Sequence, residues 1–332
     1  MGSWYPRCVA PLVRVPFIVE ANYAGWRLDR YLKEKIRRLS RERVQRVIEQ
    51  RLESEDGRRL KPATRIRPGQ RFVLFKEAEP EPETPMEFGV VFDDGSLLVV
   101  DKPAGLPVHA TARYTAHTFT ALARARFPGR KVDPGHRLDR ETSGLLACGL
   151  RPEVTRILKR DFAKGRVSKT YLAIALGLPP LDRFTVEVPL ALTGASAVRV
   201  RMHAHPAGLA SVTEFEVMER REAPDGAPVV LVACYPRTGR QHQIRAHLHC
   251  AGLQIVGDKI YGPDETLFDR FTKGQLTDAD RGVLRLPRHA LHAWRLDLPH
   301  PLTRARLFLE APLSPDLRAF WEACAPRPES RR

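Results

Sequence analysis

The chain has 332 residues, enough for two or three domains and a sizeable buried core, and it carries 55 lysines and arginines against 39 acidic residues, a net charge of +16. An excess of that size calls for a polyanionic partner, and nucleic acid is favoured over a membrane because no apolar run approaches the roughly 18–20 residues needed to cross a bilayer. The N-terminus lacks the apolar core of a secretion signal, and five cysteines without any Cys-x-x-Cys pair fit free thiols in a reducing cytoplasm.

Residues 1–21 read as an N-terminal extension. Residues 22–76 hold 17 Lys/Arg and 7 Asp/Glu, so more than half of the net positive charge sits on this short segment. Within it, Leu28, Tyr31, Leu32, Ile36 and Leu39 recur at steps of three and four and predict an amphipathic helix. Ser40 is a good N-cap for a second helix with the stripe Val44, Val47, Ile48 and Leu52. Arg37, Arg38, Arg41, Arg43 and Arg46 fall on the other faces, where they suit RNA phosphates. After the turn signal Asp56-Gly57, short β pieces are expected around Leu60, Ile66 and Phe72–Phe75. The alternating Glu and Pro of residues 77–87 predict an extended acidic linker.

From residue 88 the pattern turns to apolar β runs. Gly89–Phe92 and Leu97–Val100, joined by Asp93-Asp94-Gly95, predict a hairpin leading into Asp101-Lys102-Pro103-Ala104-Gly105. His109 reads as a structural loop histidine. His136–Leu146 then places Asp139 between Arg137 and Arg140, ahead of a short apolar run that predicts a buried strand. Nearby positive charge favours the ionised carboxylate. Two readings follow: a nucleophile beside phosphate-binding groups, exposed but rigidly held, or a salt-bridged loop aspartate without chemistry. Lys169–Ala175 predicts another strand, with Tyr171 offering a flat face and a hydroxyl. Arg237–Leu248 places Arg240, His242 and Arg245 around a turn and the start of a helix, where they suit phosphate or a carboxylate. The His242, His247, His249 and Cys250 spacing matches no strong zinc pattern, so no metal site is assigned.

These segments, in this order, resemble the RluA-type pseudouridine synthases. The motifs are His136–Leu146, Lys169–Ala173 and Thr238–His247, supported by Asp101–Gly105, Gly257–Gly262 and Leu291–Ala293. Residues 22–76 resemble the small RNA-binding domain named after a protein of the small ribosomal subunit, the S-four domain. That match rests on Arg27–Leu32, Ser40–Gln45 and Arg67–Gln70.

The resemblance implies an α+β fold. A catalytic domain over 88–325 is expected on an extended, mostly antiparallel mixed sheet with flanking helices and loops, behind a small α/β N-terminal RNA-binding domain. It implies isomerisation of uridine to pseudouridine in structured RNA, a reaction without net redox change or hydrolysis that requires no cofactor. Asp139 matches the nucleophile, Tyr171 the aromatic that stacks on uracil, and Arg245 the basic partner of the aspartate. Arg137 matches the residue that fills the gap left by a flipped base, and Arg140, Arg240 and His242 are expected to bind substrate. Large-subunit ribosomal RNA is the expected substrate of a cytoplasmic monomer. The alternatives are transfer RNA, or a non-catalytic RNA-binding or ribosome assembly factor.

Overall fold

The computed structural model describes residues 12–36, 39–77, 81–111, 113–192, 198 and 200–327. The chain divides into two compact units, Met1–Glu81 and Pro82–Arg332.

The first unit packs two helices, Leu28–Lys35 and Arg41–Arg51, on a three-stranded antiparallel sheet with Arg71–Glu77 at its centre. The helical stripes read from the sequence form its core: Leu28, Tyr31, Leu32, Val44 and Ile48 are buried against Phe72. Ser40 caps the second helix by accepting a hydrogen bond from the Arg43 amide. Arg41, Arg43 and Arg46 are exposed, whereas Arg37 and Arg38 lie outside the described residues.

Two expectations are corrected here. Leu12–Ile18, expected in an extension, is a full strand paired with Arg71–Glu77, because its alternating Val15 and Phe17 match the partner's pleat. Leu60 is buried but lies outside any strand, because Pro62 breaks the chain beside it. The β piece expected around Ile66 is present as an isolated antiparallel bridge of Arg65 with Arg27, with the Ile66 amide on the Trp26 carbonyl at 3.0 Å.

The second unit is built on a twelve-stranded sheet. Its main path runs Ala325–Pro326, Val212–Glu222, Pro228–Pro236, Ser168–Leu176, Leu291–Pro299, Ser143–Gly149, Leu97–Lys102 and Gly89–Asp93. Every pairing is antiparallel except that of Leu291–Pro299 with Ser143–Gly149, so the sheet is mixed and mostly antiparallel. The predicted hairpin is present, with Val90 opposite Val100. Ser143–Gly149 is buried along its whole length, which is what a continuous apolar run without alternation requires. At the parallel junction Gly144 has φ of 103°, and a Cβ there would lie 2.2 Å from the Ala293 carbonyl oxygen, so only glycine lets these two strands meet.

Part of the expected linker belongs to this unit. Phe88 is buried edge-on against Phe119, and the Pro82 carbonyl lies 3.2 Å from His117 Nδ1. An extended proline-containing segment keeps its carbonyls free as acceptors, which allows it to lie along a folded surface as an arm. Among the described residues no helix is long and apolar enough to cross a membrane.

Candidate active site

Two neighbouring strands and the loops around them line a cleft of about 550 Å³ in the second unit. The segment Gly135–Asp139 enters from one side, and Lys169 and Tyr171 rise from the strand Ser168–Leu176, two residues apart and therefore on one face. Thr238–Arg245 closes the far wall and runs into the helix Gln243–Cys250. The buried Gln243 side chain holds this wall: it accepts from the Arg240 amide at 2.9 Å and the Thr238 hydroxyl at 2.7 Å, and donates to the Val212 carbonyl at 2.9 Å.

Asp139 lines the cleft with its side chain only 20% exposed, so the expected exposed nucleophile is instead largely buried. Arg245, 106 residues further along, donates from Nη1 to Asp139 Oδ2 at 2.9 Å. Burial pushes the Asp139 pKa up. His242 when protonated, Arg245 and the Arg245 hydrogen bond outweigh it and hold the carboxyl at about 2. Asp139 is thus an anion near neutral pH.

Arg245 is itself clamped from behind. Asp258, fully buried, accepts from its Nε at 2.6 Å and its Nη2 at 2.8 Å, and also accepts the Ile260 and Tyr261 amides at 2.9 and 3.0 Å. These bonds hold the Asp258 carboxyl well below the usual range despite burial. One guanidinium therefore spans two carboxylates, with its bidentate side fixed and its remaining Nη1 aimed at Asp139.

His242 adopts φ of 54°, a left-handed conformation uncommon for a residue with a side chain. It places Nε2 3.8 Å from Asp139 and Nδ1 3.3 Å from the Tyr261 hydroxyl. Burial and the positive charge of Arg245 bring its pKa to about 4, so near neutral pH it serves as a polar, uncharged group. Tyr171 is 9% exposed, and burial, reinforced by the negative charge of Asp139, pushes its phenol up. Its hydroxyl therefore stays protonated in the working range.

Arg137 and Arg240 line the same cleft. Arg140 does not. The turn closed by the Thr142 amide on the Asp139 carbonyl sends it away, where it donates to the Tyr114 hydroxyl at 2.6 Å and to Glu141 at 2.9 Å. Arg140, expected to bind substrate, thus stands outside the residues that line this cleft. Glu141 also turns away, held by Lys259 at 3.0 Å, so Asp139 is the single carboxylate among the described residues lining the cleft. His109 is exposed and outside the lining. A lone carboxylate disfavours ordinary glycoside hydrolysis, which pairs two.

The sequence reading assigned no role to Asp258, Lys102 or Lys169. Lys102 is fully buried and donates to the Pro103, Leu106 and Arg140 carbonyls at 2.7, 3.0 and 3.2 Å, tying its loop to the peptide beside Asp139. The signal for Asp258 was present: an acidic residue directly after a glycine, in the supporting segment Gly257–Gly262.

The RNA pseudouridylate synthase family model matches residues 96–250, the stretch that holds Asp139, Tyr171 and Arg245. The chain belongs to the RluA-type family of RNA pseudouridine synthases, enzymes that isomerise uridine to pseudouridine in RNA. It is 32% identical to ribosomal large subunit pseudouridine synthase D of Nitrosomonas europaea, over 95% of this chain and 89% of that one. It is 31% identical to ribosomal large subunit pseudouridine synthase C of Escherichia coli strain K12, over 93% and 95% of the two chains. Among solved structures it is similar to human RNA pseudouridylate synthase domain containing 1, with 26% identity, a TM-score of 0.59, and 76% of this chain and 94% of that one covered.

The buried histidines of this unit make stability depend on pH. Burial brings His242 and His292 to about 4 and His289 to about 3, against a usual value of 6.5. The unfolded chain protonates them below 6.5 and the fold keeps them neutral, so their contribution is complete above pH 6.5 and is lost as pH falls towards 4. Each costs up to about 1.4 kcal/mol per pH unit in that window. The urea midpoint should fall steeply between pH 6.5 and 5. A flat midpoint there would show that these rings are protonated in the folded protein.

Proposed function

We propose that this protein converts uridine to pseudouridine in large-subunit ribosomal RNA, with Asp139 as the nucleophile. The observation that carries this reading is one ionised carboxylate among the described residues lining a basic cleft, paired with Arg245 at 2.9 Å. The named activities of the bacterial relatives supply the RNA.

In the reaction the bond from uracil N1 to the sugar breaks, the base turns, and its C5 bonds to the same sugar carbon. C5 loses a proton and N1 gains one, so atoms balance without a co-reactant. Asp139 supplies the anion that assists cleavage. Tyr171 offers the face on which uracil stacks and a neutral hydroxyl for the proton relay. A base stacked in RNA must be flipped out at a cost of a few kcal/mol, and Arg137 fills the place it leaves. Arg240 and His242 hold the nucleotide. Arg41, Arg43 and Arg46 of the first unit bind RNA phosphates, and their exposure beside few acidic groups supports that role.

Pseudouridine mapping of total RNA from cells with and without the protein tests the assignment. The expected result is loss of modification at one or a few positions of large-subunit ribosomal RNA. Loss confined to transfer RNA would transfer the assignment to that substrate, and an unchanged map would overturn the catalytic reading.

A further inference from the structure

The helix Pro152–Ala163 is amphipathic, with Val154, Thr155, Leu158 and Asp161 buried. Its outer face carries Arg156 and Arg160, continued by Lys164 at the C-cap, each four residues from the next and each exposed. At about 1.5 Å rise per residue they form a row with roughly 6 Å between members along the axis. Glu153, at the far end, is the acidic residue on that face. Asp161 points inward and is held chiefly by Arg304 and by Arg166 at 3.2 Å, with Arg160 at 4.0 Å. Lys159, on the flank, is paired with Asp133 at 3.0 Å.

The row leads to the reacting centre. Phe162, Ala163 and Gly165, at the end of this helix, line the same cleft as Asp139. The helix is also locked to the segment that carries Asp139. Phe162 stacks on His136 with centroids 4.4 Å apart, and Leu158 comes so close to Gly135 that a Cβ there would lie 2.4 Å from it. Lys169 continues the positive charge inside the cleft. Its amine donates to the Thr238 carbonyl at 3.4 Å.

We infer that the outer face of the helix Pro152–Ala163 is a docking track for the RNA strand leaving the cleft, with Arg156, Arg160 and Lys164 neutralising its phosphates. The occupant is the substrate's own flanking backbone, selected by charge and by continuity with the cleft. This rests on the RNA-modifying reading above. Because the helix is rigidly registered to Asp139, the track fixes how far the target uridine lies from the nearest gripped phosphates.

The test is the triple variant R156A/R160A/K164A of the full chain. It is assayed on a ribosomal RNA fragment that extends on both sides of the mapped uridine, and on one trimmed close to it. The outward side chains leave the core intact, so the thermal midpoint should match wild type. On the long fragment KM should rise on the order of tenfold, with kcat at saturating RNA retained. The slope of log affinity against log salt should shrink by about 2–3, from roughly 0.7–0.9 per phosphate contact. On the trimmed fragment wild type and variant should converge. Unchanged KM and salt slope, or a change in kcat alone, would overturn the track. If wild type converts no uridine in either fragment, the ribosomal substrate assignment fails, and the salt slope of binding still decides the track.

Discussion

Asp139→Asn should abolish pseudouridine formation, lowering the single-turnover rate on the order of 10⁴-fold or more, the scale seen when a nucleophile is removed. The amide is isosteric, and its oxygen still accepts from Arg245 at the position now 2.9 Å away, so the cleft keeps its shape. What disappears is the negative charge. A group held at about 2 by its surroundings is ionised near neutral pH, and a neutral amide cannot replace it as an anion. RNA affinity should stay within a few-fold of wild type, because a carboxylate facing a polyanion contributes little attraction. Pseudouridine formation by purified Asp139→Asn protein at more than a few percent of the wild-type rate would remove Asp139 from the chemistry.

Asp258→Asn should destabilise the second unit by about 3–5 kcal/mol, the usual cost of breaking a buried ion pair from one side. One carboxyl oxygen receives the Ile260 and Tyr261 amides together with Arg245 Nη2, and the other receives Arg245 Nε. An asparagine can satisfy the first set with its carbonyl, but its NH₂ then faces the Nε–H, donor against donor. Arg245 would be left with a buried charge and a loosened fork. Its Nη1 would no longer be aimed at Asp139, and kcat should fall on the order of 100-fold with KM little changed, since misplacement by about an ångström has that scale of effect. Urea unfolding and single-turnover kinetics measure the two quantities. A loss below about 1 kcal/mol with kcat intact would mean that Asp139 alone positions Arg245.

Much of the architecture was legible because it rests on local pattern. The stripes Leu28–Leu32 and Val44–Ile48 bury as their spacing demands, Ser40 caps its helix, and the apolar run 145–148 is a strand buried on both faces. Leu60 misled because an apolar residue between breakers signals burial without specifying the backbone. Leu12–Ile18 escaped because a strand at the edge of a small sheet is recognised by its partner, which lies about sixty residues away.

The candidate site divides in the same way. Its residue types and their order along the chain determined the family resemblance and the chemistry, since an aspartate, a tyrosine and an arginine in matching motifs can be read without coordinates. Sequence adjacency suggested that Arg137 and Arg140 keep Asp139 ionised. The tertiary structure instead gives that contact to Arg245, the partner the family resemblance implied, turns Arg140 to Tyr114 and Glu141, and sets Asp258 behind Arg245. In a tight turn or extended segment successive side chains point to different sides, so neighbours in sequence seldom face one another. The Asp139–Arg245 pair spans 106 residues, and such pairing depends on how the strands and the helix Gln243–Cys250 pack. Only folding sets that distance and the burial that makes the pair strong.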